Sequence, residues 1–211
     1  MDPSHSQRIL IRSPNWLGDA VMAVPALQAW QQHADSNQKF SVVAPANLRT
    51  FWEHVPGLDS VFVAERNPAI TATNISPWKA DTTLILPNSP RTAFEAYLAN
   101  IPCRIGFTGK WRKFLLTHTF DRPPQTGLPH HQSLDPLDLL KHFRLIPENT
   151  RLPEPEIPSP EKGDIVDSDY LLICPGAEYG AAKRWPADRY ARLANSLGAA
   201  HKLHVILSGG D

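Results

Sequence analysis

Short apolar runs alternate along this chain with longer segments in which apolar residues recur at helical spacing. Val21, Val24, Leu27 and Trp30 follow one another at intervals of three residues, which is typical of one buried helix face. The preceding run, residues 8–12, is short and rich in Ile and Leu, which is typical of a buried strand. Such alternation is typical of a parallel sheet covered by helices, so the sequence predicts an α/β fold.

The same pattern sets the expected bounds of each element. Strands are predicted over residues 8–12, 39–44, 60–64, 82–86, 103–107, 170–174 and 203–208. Helices are predicted over residues 19–33, 46–53, 90–99, 134–143 and 187–199. Pro25 interrupts the first helix, so we expect it either near the helix start, where a missing N–H costs little, or at a bend.

The distribution of proline suggests a linker between two domains. The chain has 21 prolines in 211 residues, about twice the usual share of roughly 5%, and many of them lie between residues 147 and 160. We therefore predict an N-terminal domain over residues 1–150, a Pro-rich linker over 151–169 and the start of a second domain over 170–211. A strand-helix-strand unit buries too little apolar surface to stand alone, so the second domain is expected to be incomplete here.

Charge and composition exclude some classes of function. The 21 basic and 21 acidic side chains give a formal net charge of zero, which argues against a dedicated nucleic-acid binder. Locally, no acid occurs between Glu95 and Asp121, whereas Arg104, Arg112 and two lysines do. This basic segment suits an anionic sugar or phosphate, although a solvated charged surface is the alternative.

Cysteines, metal ligands and targeting signals add little. Cys103 and Cys174 both lie in apolar runs and are expected to be buried, reduced thiols. The formal Asp-x-Asp of Asp167 and Asp169 precedes its strand and lies in the linker, so no metal site is predicted. Without a signal pattern or an apolar run of roughly 20 residues, the protein is expected to be cytoplasmic.

A strand-loop-helix segment over residues 173–186 is the first candidate for chemistry. Gly176 and Ala177 begin the loop, Glu178 follows, and Lys183 stands before the predicted helix. Backbone N–H groups at such a loop and helix start favour an anion, and lysine adds a compact cation for phosphate. The alternative is an ordinary turn with a solvated lysine.

A second strand-loop-helix segment, over residues 9–22, carries a carboxylate. Asp19 follows Gly18 at the expected carboxyl edge of the sheet, where a catalytic base could be placed. The alternative for Asp19 is capping of the helix. Asn15 and Trp16 precede it and suit contact with a sugar, or serve only to shape the loop.

The two segments together resemble a known family. Asn-Trp-Leu-Gly-Asp at 15–19, Leu-Pro-Asn-Ser at 86–89 and Pro-Gly-Ala-Glu-Tyr-Gly-Ala-Ala-Lys-Arg-Trp-Pro at 175–186 closely resemble the ADP-heptose:lipopolysaccharide heptosyltransferases. Within that family the likeness is to the heptosyltransferase II branch. It runs from about residue 8 to the last residue.

The resemblance implies a GT-B arrangement of two Rossmann-like domains, the first for the acceptor and the second for the nucleotide sugar. It implies inverting transfer of heptose from ADP-L-glycero-D-manno-heptose to the first heptose of a lipid A-linked inner core, met at the inner membrane surface. No metal or further cofactor is implied. Asp19 would take the acceptor proton and Lys183 would hold phosphate. The implied substrate-binding residues are Asn15, Trp16, Gly18, Asn88, Ser89, Gly176, Ala177 and Glu178.

Two alternatives stay open. The family carries an Asp-(Ser/Thr)-Gly-x-x-His element in its second domain, and this sequence ends before it. The chain is therefore either the beginning of such an enzyme or a non-catalytic remnant that binds acceptor alone. A related heptosyltransferase with a different acceptor is the other alternative.

Overall fold

The computed structural model describes residues 3–109, 111–122, 131–157, 168–177 and 181–209. The chain divides into two compact units, Met1–Pro158 and Ser159–Asp211.

The first unit is built on a six-stranded parallel sheet. Its strands are β1 (Arg8–Arg12), β2 (Lys39–Pro45), β3 (Ser60–Ala64), β4 (Thr82–Ile85), β5 (Cys103–Phe107) and β6 (His118–Phe120). Their order in the sheet is β3-β2-β1-β4-β5-β6, and every neighbouring pair is parallel. The strand order therefore reverses between β1 and β4, which is where an open α/β sheet forms a crevice at its carboxyl edge.

Five helices cover the two faces of this sheet. They are α1 (Leu17–His33), α2 (Arg49–Glu53), α3 (Pro68–Ile75), α4 (Pro90–Leu98) and α5 (Leu134–His142). Residues of α1, α2 and α5 belong to one hydrophobic cluster, and residues of α3 and α4 belong to another. Strand alternation explains the division, because Ile9 and Ile11 enter the first cluster whereas Leu10 enters the second.

The described residues of the second unit form a strand-helix-strand motif. β7 (Tyr170–Ile173) pairs in parallel with β8 (His204–Leu207), and α6 (Ala187–His201) connects them. Leu172 and Leu207 remain 52% and 69% exposed. The apolar surface of this small sheet is thus only partly covered, as expected for so short a unit.

Two elements of the first unit, α3 and β6, are not among the predicted ones. The sequence of α3 gives a weak helical pattern because it contains Ile, Thr and Asn. The Asn67-Pro68 pair was an available signal, because Asn67 Oδ1 accepts from the Ala69 N–H at 2.9 Å and Pro68 begins the helix. β6 is only three residues long and is defined by its pairing with β5.

Pro25 lies well inside α1 and not in its first turns, and its side chain is buried.

Part of the predicted linker is held by the first unit. The Gln28 side chain donates to the Glu156 carbonyl at 2.7 Å, and the Glu156 N–H donates back to Gln28 Oε1 at 3.0 Å. Leu152 and Ile157 pack against the larger hydrophobic cluster. Residues 151–157 therefore follow the surface of the sheet-and-helix unit.

Candidate active site

A cleft of about 210 Å³ opens at the carboxyl edge of the sheet. It lies where the strand order reverses, because its walls follow β1, β4 and β5 and include the start of α5. Its lining residues are Pro14, Asn15, Trp16, Asp19, Met22, Ala23, Leu86, Pro87, Asn88, Phe107, Arg122, Gln132, Asp135 and Pro136.

Asp19 presents a carboxylate to this cleft. The helix begins two residues before it, at Leu17, and Trp16 is the N-cap without a side-chain cap bond. Asp19 is therefore not the capping residue, contrary to the structural alternative. Its Oδ1 accepts a hydrogen bond from Gln132 Nε2 at 3.1 Å, while Oδ2 accepts none from the described residues. One carboxylate oxygen is thus held in place and the other is available to a ligand.

The loop before α1 also contributes to the cleft wall. Asn15 and Trp16 both line it, and Trp16 is 47% exposed. Arg12 Nη1 approaches Asn15 Oδ1 at 3.5 Å, at the long limit of a hydrogen bond. Gly18 is exposed and lies outside the lining. Asn15 and Trp16, the predicted sugar-contact residues, therefore line the cleft, whereas Gly18 is the second residue of α1 and does not.

The two substrate-binding residues predicted after β4, Asn88 and Ser89, lie in different clefts. Asn88 lines the cleft, and its Oδ1 accepts from Arg112 Nη1 at 3.0 Å. Ser89 caps α4, because its Oγ accepts from the Arg91 N–H at 3.2 Å. Ser89 instead lines a second, basic cleft of about 360 Å³, whose cationic walls come from Arg12, Arg66 and Arg91.

Three polar residues of the cleft were not predicted: Gln132, Arg122 and Asp135. Arg122 Nη2 pairs with Asp135 Oδ2 at 2.9 Å, and its guanidinium carbon lies 4.5 Å from the centre of the Phe107 ring. This cation–π contact and the ion pair fix the guanidinium beside the Asp135 carboxylate. The only sequence signal was position, since Gln132 and Asp135 flank the start of a helix that follows a strand.

The basic segment does not form a single charged surface. Arg104 donates to the backbone carbonyls of Ile101 and Leu115, and Arg112 is completely buried. Lys113 is exposed, whereas Lys110 lies outside the described residues. The two arginines therefore hold the local backbone, and Arg112 adds no charge to the protein surface.

The predicted phosphate loop lies in the second unit. Arg184 donates to the Ala177 carbonyl through Nε at 3.1 Å and Nη2 at 2.8 Å, which closes the loop. Lys183 ends a short 3₁₀ turn and is exposed. No described residue lies within 4 Å of a Cβ added at Gly176, and Glu178 lies outside the described residues. Lys183 is thus exposed, and its role as a phosphate ligand stays a prediction.

The helix that follows the loop carries its own carboxylate. Asp188 stands in the first turn of α6 and pairs with Arg192 Nη2 at 2.6 Å. A carboxylate at this end of a helix offsets the positive pole of its dipole. A phosphate would therefore rely on Lys183 and the loop more than on the end of α6.

The expectation for the cysteines is corrected in part. Cys103 is buried, but Cys174 is exposed because β7 ends at Ile173 and leaves it in the loop. Nearby, Trp185 is 42% exposed and forms a T-shaped ring contact with Tyr190. Asp167 of the formal Asp-x-Asp lies outside the described residues, which contain no cluster of three or more His, Cys, Asp or Glu placed for a metal ion.

Among the described helices, none has the length and apolarity needed to cross a bilayer.

Comparison with solved structures shows the fold. Heptosyltransferase II from E. coli superimposes with a TM-score of 0.76 at 24% identity, over 95% of this chain and 63% of that one. The E. coli heptosyltransferase WaaC with ADP gives a TM-score of 0.69 at 15% identity, over 97% of this chain and 67% of that one. These neighbours are GT-B enzymes, so the predicted α/β, Rossmann-like fold class is confirmed.

Curated proteins with similar sequences are also named as heptosyltransferases. The lipopolysaccharide heptosyltransferase 2 of Salmonella typhimurium is 27% identical over 90% of this chain and 60% of its own length. The lipooligosaccharide heptosyltransferase 2 of Campylobacter jejuni is 29% identical over 96% of this chain. The chain spans 60% of the length of these relatives.

The family model agrees as well. The model of glycosyltransferase family 9 (heptosyltransferase) matches residues 73–211, which includes the strand after which Asn88 stands and the Lys183 loop. The chain therefore belongs to glycosyltransferase family 9, the heptosyltransferases.

Proposed function

We propose that this protein is an inverting heptosyltransferase that acts on the lipopolysaccharide inner core. The donor is ADP-L-glycero-D-manno-heptose, and the acceptor is a hydroxyl of the first inner-core heptose. Family membership and the names of the relatives support the reaction class. The observation that carries the proposal is the Asp19 carboxylate, held by Gln132 in the cleft where the strand order reverses.

Asp19 acts as the general base. With Oδ1 engaged by Gln132, Oδ2 accepts the proton of the acceptor hydroxyl. The hydroxyl oxygen then forms a bond to the anomeric carbon of heptose, and the bond from that carbon to the phosphate oxygen breaks. ADP leaves with the electron pair. Because the attacking oxygen arrives opposite the leaving group, the anomeric configuration inverts.

Polar groups around Asp19 orient the acceptor. Asn15 and Asn88 offer amide groups, and the exposed Trp16 ring offers an apolar surface for a sugar face. Holding the acceptor hydroxyl beside its base lowers the entropic cost of bringing the two groups together for reaction. In this proposal Lys183 stabilises the charge that develops on the leaving diphosphate.

Replacement of Asp19 tests the base assignment. Asp19→Asn keeps the shape and one hydrogen-bonding oxygen but removes the proton acceptor, so we expect turnover to fall by about 10²–10⁴-fold. The affinity for ADP-heptose is expected to stay nearly unchanged. Release of ADP with a deacylated, mono-heptosylated inner-core oligosaccharide measures turnover, and calorimetry measures donor affinity.

Asp35→Asn is the matched control. Asp35 is an exposed carboxylate between α1 and β2, at the opposite edge of the sheet from the cleft. Unaltered turnover of Asp19→Asn, or an equal loss in Asp35→Asn, would contradict the base assignment.

The same assay separates the alternatives. A wild-type protein that binds the oligosaccharide but releases no ADP would be a non-catalytic acceptor-binding protein. Transfer to an inner core without heptose, in preference to the mono-heptosylated one, would indicate a related heptosyltransferase with a different acceptor.

A further inference from the structure

Arg112 is a fully buried cation without a carboxylate partner among the described residues. Its exposed fraction is 0%. Burial lowers the pKa of Arg112 to about 10, with a smaller contribution from Arg122, so the guanidinium stays charged at neutral pH. Nε and Nη2 have no hydrogen-bond partner within the part of the chain that the structure describes. A buried arginine is rare unless paired, and unpaired donors cost stability, so stability alone does not explain this residue.

The guanidinium fits a socket at the end of β4 and β5. Nη1 donates to the Pro87 carbonyl at 2.5 Å and to Asn88 Oδ1 at 3.0 Å. Gly106 leaves the room for Nη2, because a Cβ there would stand 2.6 Å from that atom. Gly109 does the same for the stem, since its Cβ would stand 3.0 Å from Cδ of Arg112. A methyl group at Gly106 would therefore displace the guanidinium, and one at Gly109 would crowd its stem.

This contact decides which way the Asn88 side chain faces. A guanidinium has only donors, so the atom it binds must be the amide oxygen and not the amide nitrogen. Asn88 is exposed and lines the cleft. With Oδ1 turned to Arg112, the Nδ2 group is left as a donor on the cleft side.

We propose that Arg112 is a positioning residue for substrate recognition: it holds the Asn88 carboxamide so that Nδ2 donates to an oxygen of the sugar acceptor. The assignment of a sugar as the ligand rests on the proposed function of the cleft, whereas the orientation of the Asn88 carboxamide is independent of that function. Loss of either residue then weakens acceptor binding through the same hydrogen bond.

A double-mutant cycle tests this coupling. Asn88→Ala and Arg112→Met are each expected to weaken binding of the deacylated, mono-heptosylated oligosaccharide by about 10-fold, the value of one hydrogen bond. The double variant should bind no more weakly than Asn88→Ala, because Arg112 acts only through Asn88. Losses that multiply in the double variant would overturn the proposal.

Asn88→Asp separates positioning from folding. A carboxylate at residue 88 pairs with the buried guanidinium, so we expect the Tm to rise, while the missing Nδ2 donor weakens acceptor binding. A merely structural Arg112 would predict a higher Tm with unchanged binding, and that result would contradict the proposal.

Gly106→Ala provides an independent route to the same socket. Its methyl group displaces Nη2, so acceptor binding should fall as in Arg112→Met. Gly198→Ala is the matched control, since its Cβ would meet its nearest neighbour at 3.4 Å and lies in α6 of the second unit. Full acceptor affinity in Gly106→Ala, at an unchanged fold by circular dichroism, would argue against the socket.

A ligand-free measurement keeps the test apart from the proposed function. The side-chain amide protons of Asn88 are observed by ¹⁵N NMR in the wild-type protein and in Arg112→Met. We expect two well-separated amide signals with restricted side-chain motion in the wild type, and averaged, mobile signals in Arg112→Met. Identical signals would overturn the positioning role. Restricted side-chain motion in the wild type together with no oligosaccharide binding would instead reject the proposed acceptor and retain the orientation of Asn88.

Discussion

Arg12 Nε lies 2.8 Å from Glu95 Oε2, and the two side chains are only 6% and 2% exposed. The bond joins the end of β1 to α4, across 83 residues of sequence. Arg91 Nε approaches the other oxygen of Glu95 at 3.3 Å. One buried carboxylate therefore holds two arginines that line the basic cleft, while Arg12 also supports the loop that carries Asn15.

Removing the charge of Glu95 should be strongly destabilising. Glu95→Gln leaves the buried Arg12 guanidinium without its counter-ion, so we expect the free energy of unfolding to fall by about 3–5 kcal/mol. Urea denaturation followed by circular dichroism measures it. Glu53→Gln is the control, because the exposed Arg49–Glu53 pair at 2.7 Å should contribute less than about 1 kcal/mol. Equal effects of the two changes would contradict this assignment.

Gln132 should matter for turnover and not for folding. Gln132→Leu removes the hydrogen bond that orients Asp19, so we expect kcat to fall by about 10-fold with little change in Tm. The affinity for ADP-heptose is expected to stay constant. Gln32→Leu, on the exposed surface of α1, serves as the control. A drop in Tm without a drop in kcat would assign Gln132 a structural role.

Lys183 should act on the donor. Lys183→Ala is expected to weaken ADP-heptose binding by about 10-fold and to lower turnover as well, because it removes the exposed cation of the loop. Lys183→Arg should recover part of both. Calorimetry with ADP-heptose is the measurement, with Lys141→Ala in α5 as the control. Unchanged affinity and turnover in Lys183→Ala would exclude the phosphate role.

The two cysteines should differ in reactivity. Burial raises the pKa of the Cys103 thiol, which lowers its thiolate fraction, and the side chain is shielded as well. Cys174 is exposed. At pH 8, iodoacetamide should therefore label one thiol quickly in the folded protein and the second only after unfolding. Mass spectrometry of Cys174→Ser should show no fast labelling; fast labelling of that variant would contradict the burial of Cys103.

Local patterns predicted several strands well and shorter elements poorly. β1, β3 and β5 have the bounds expected from the sequence, because each contains a short apolar run that is typical of a strand. β6 escaped prediction because only its pairing with β5 makes three residues a strand. Cys174 was misplaced because its strand ends one residue earlier than the apolar run.

The sequence by itself determined the α/β fold, the two strand-loop-helix segments and the family, because each depends on short-range periodicity or on contiguous residues. The tertiary structure decided which side chains meet. Gln132 reaches Asp19 across 113 residues, and Arg112 turns inward to Asn88 although its neighbours suggested a charged surface. Such contacts depend on the order of the strands in the sheet and on side-chain burial, and the spacing of residues along the chain specifies neither.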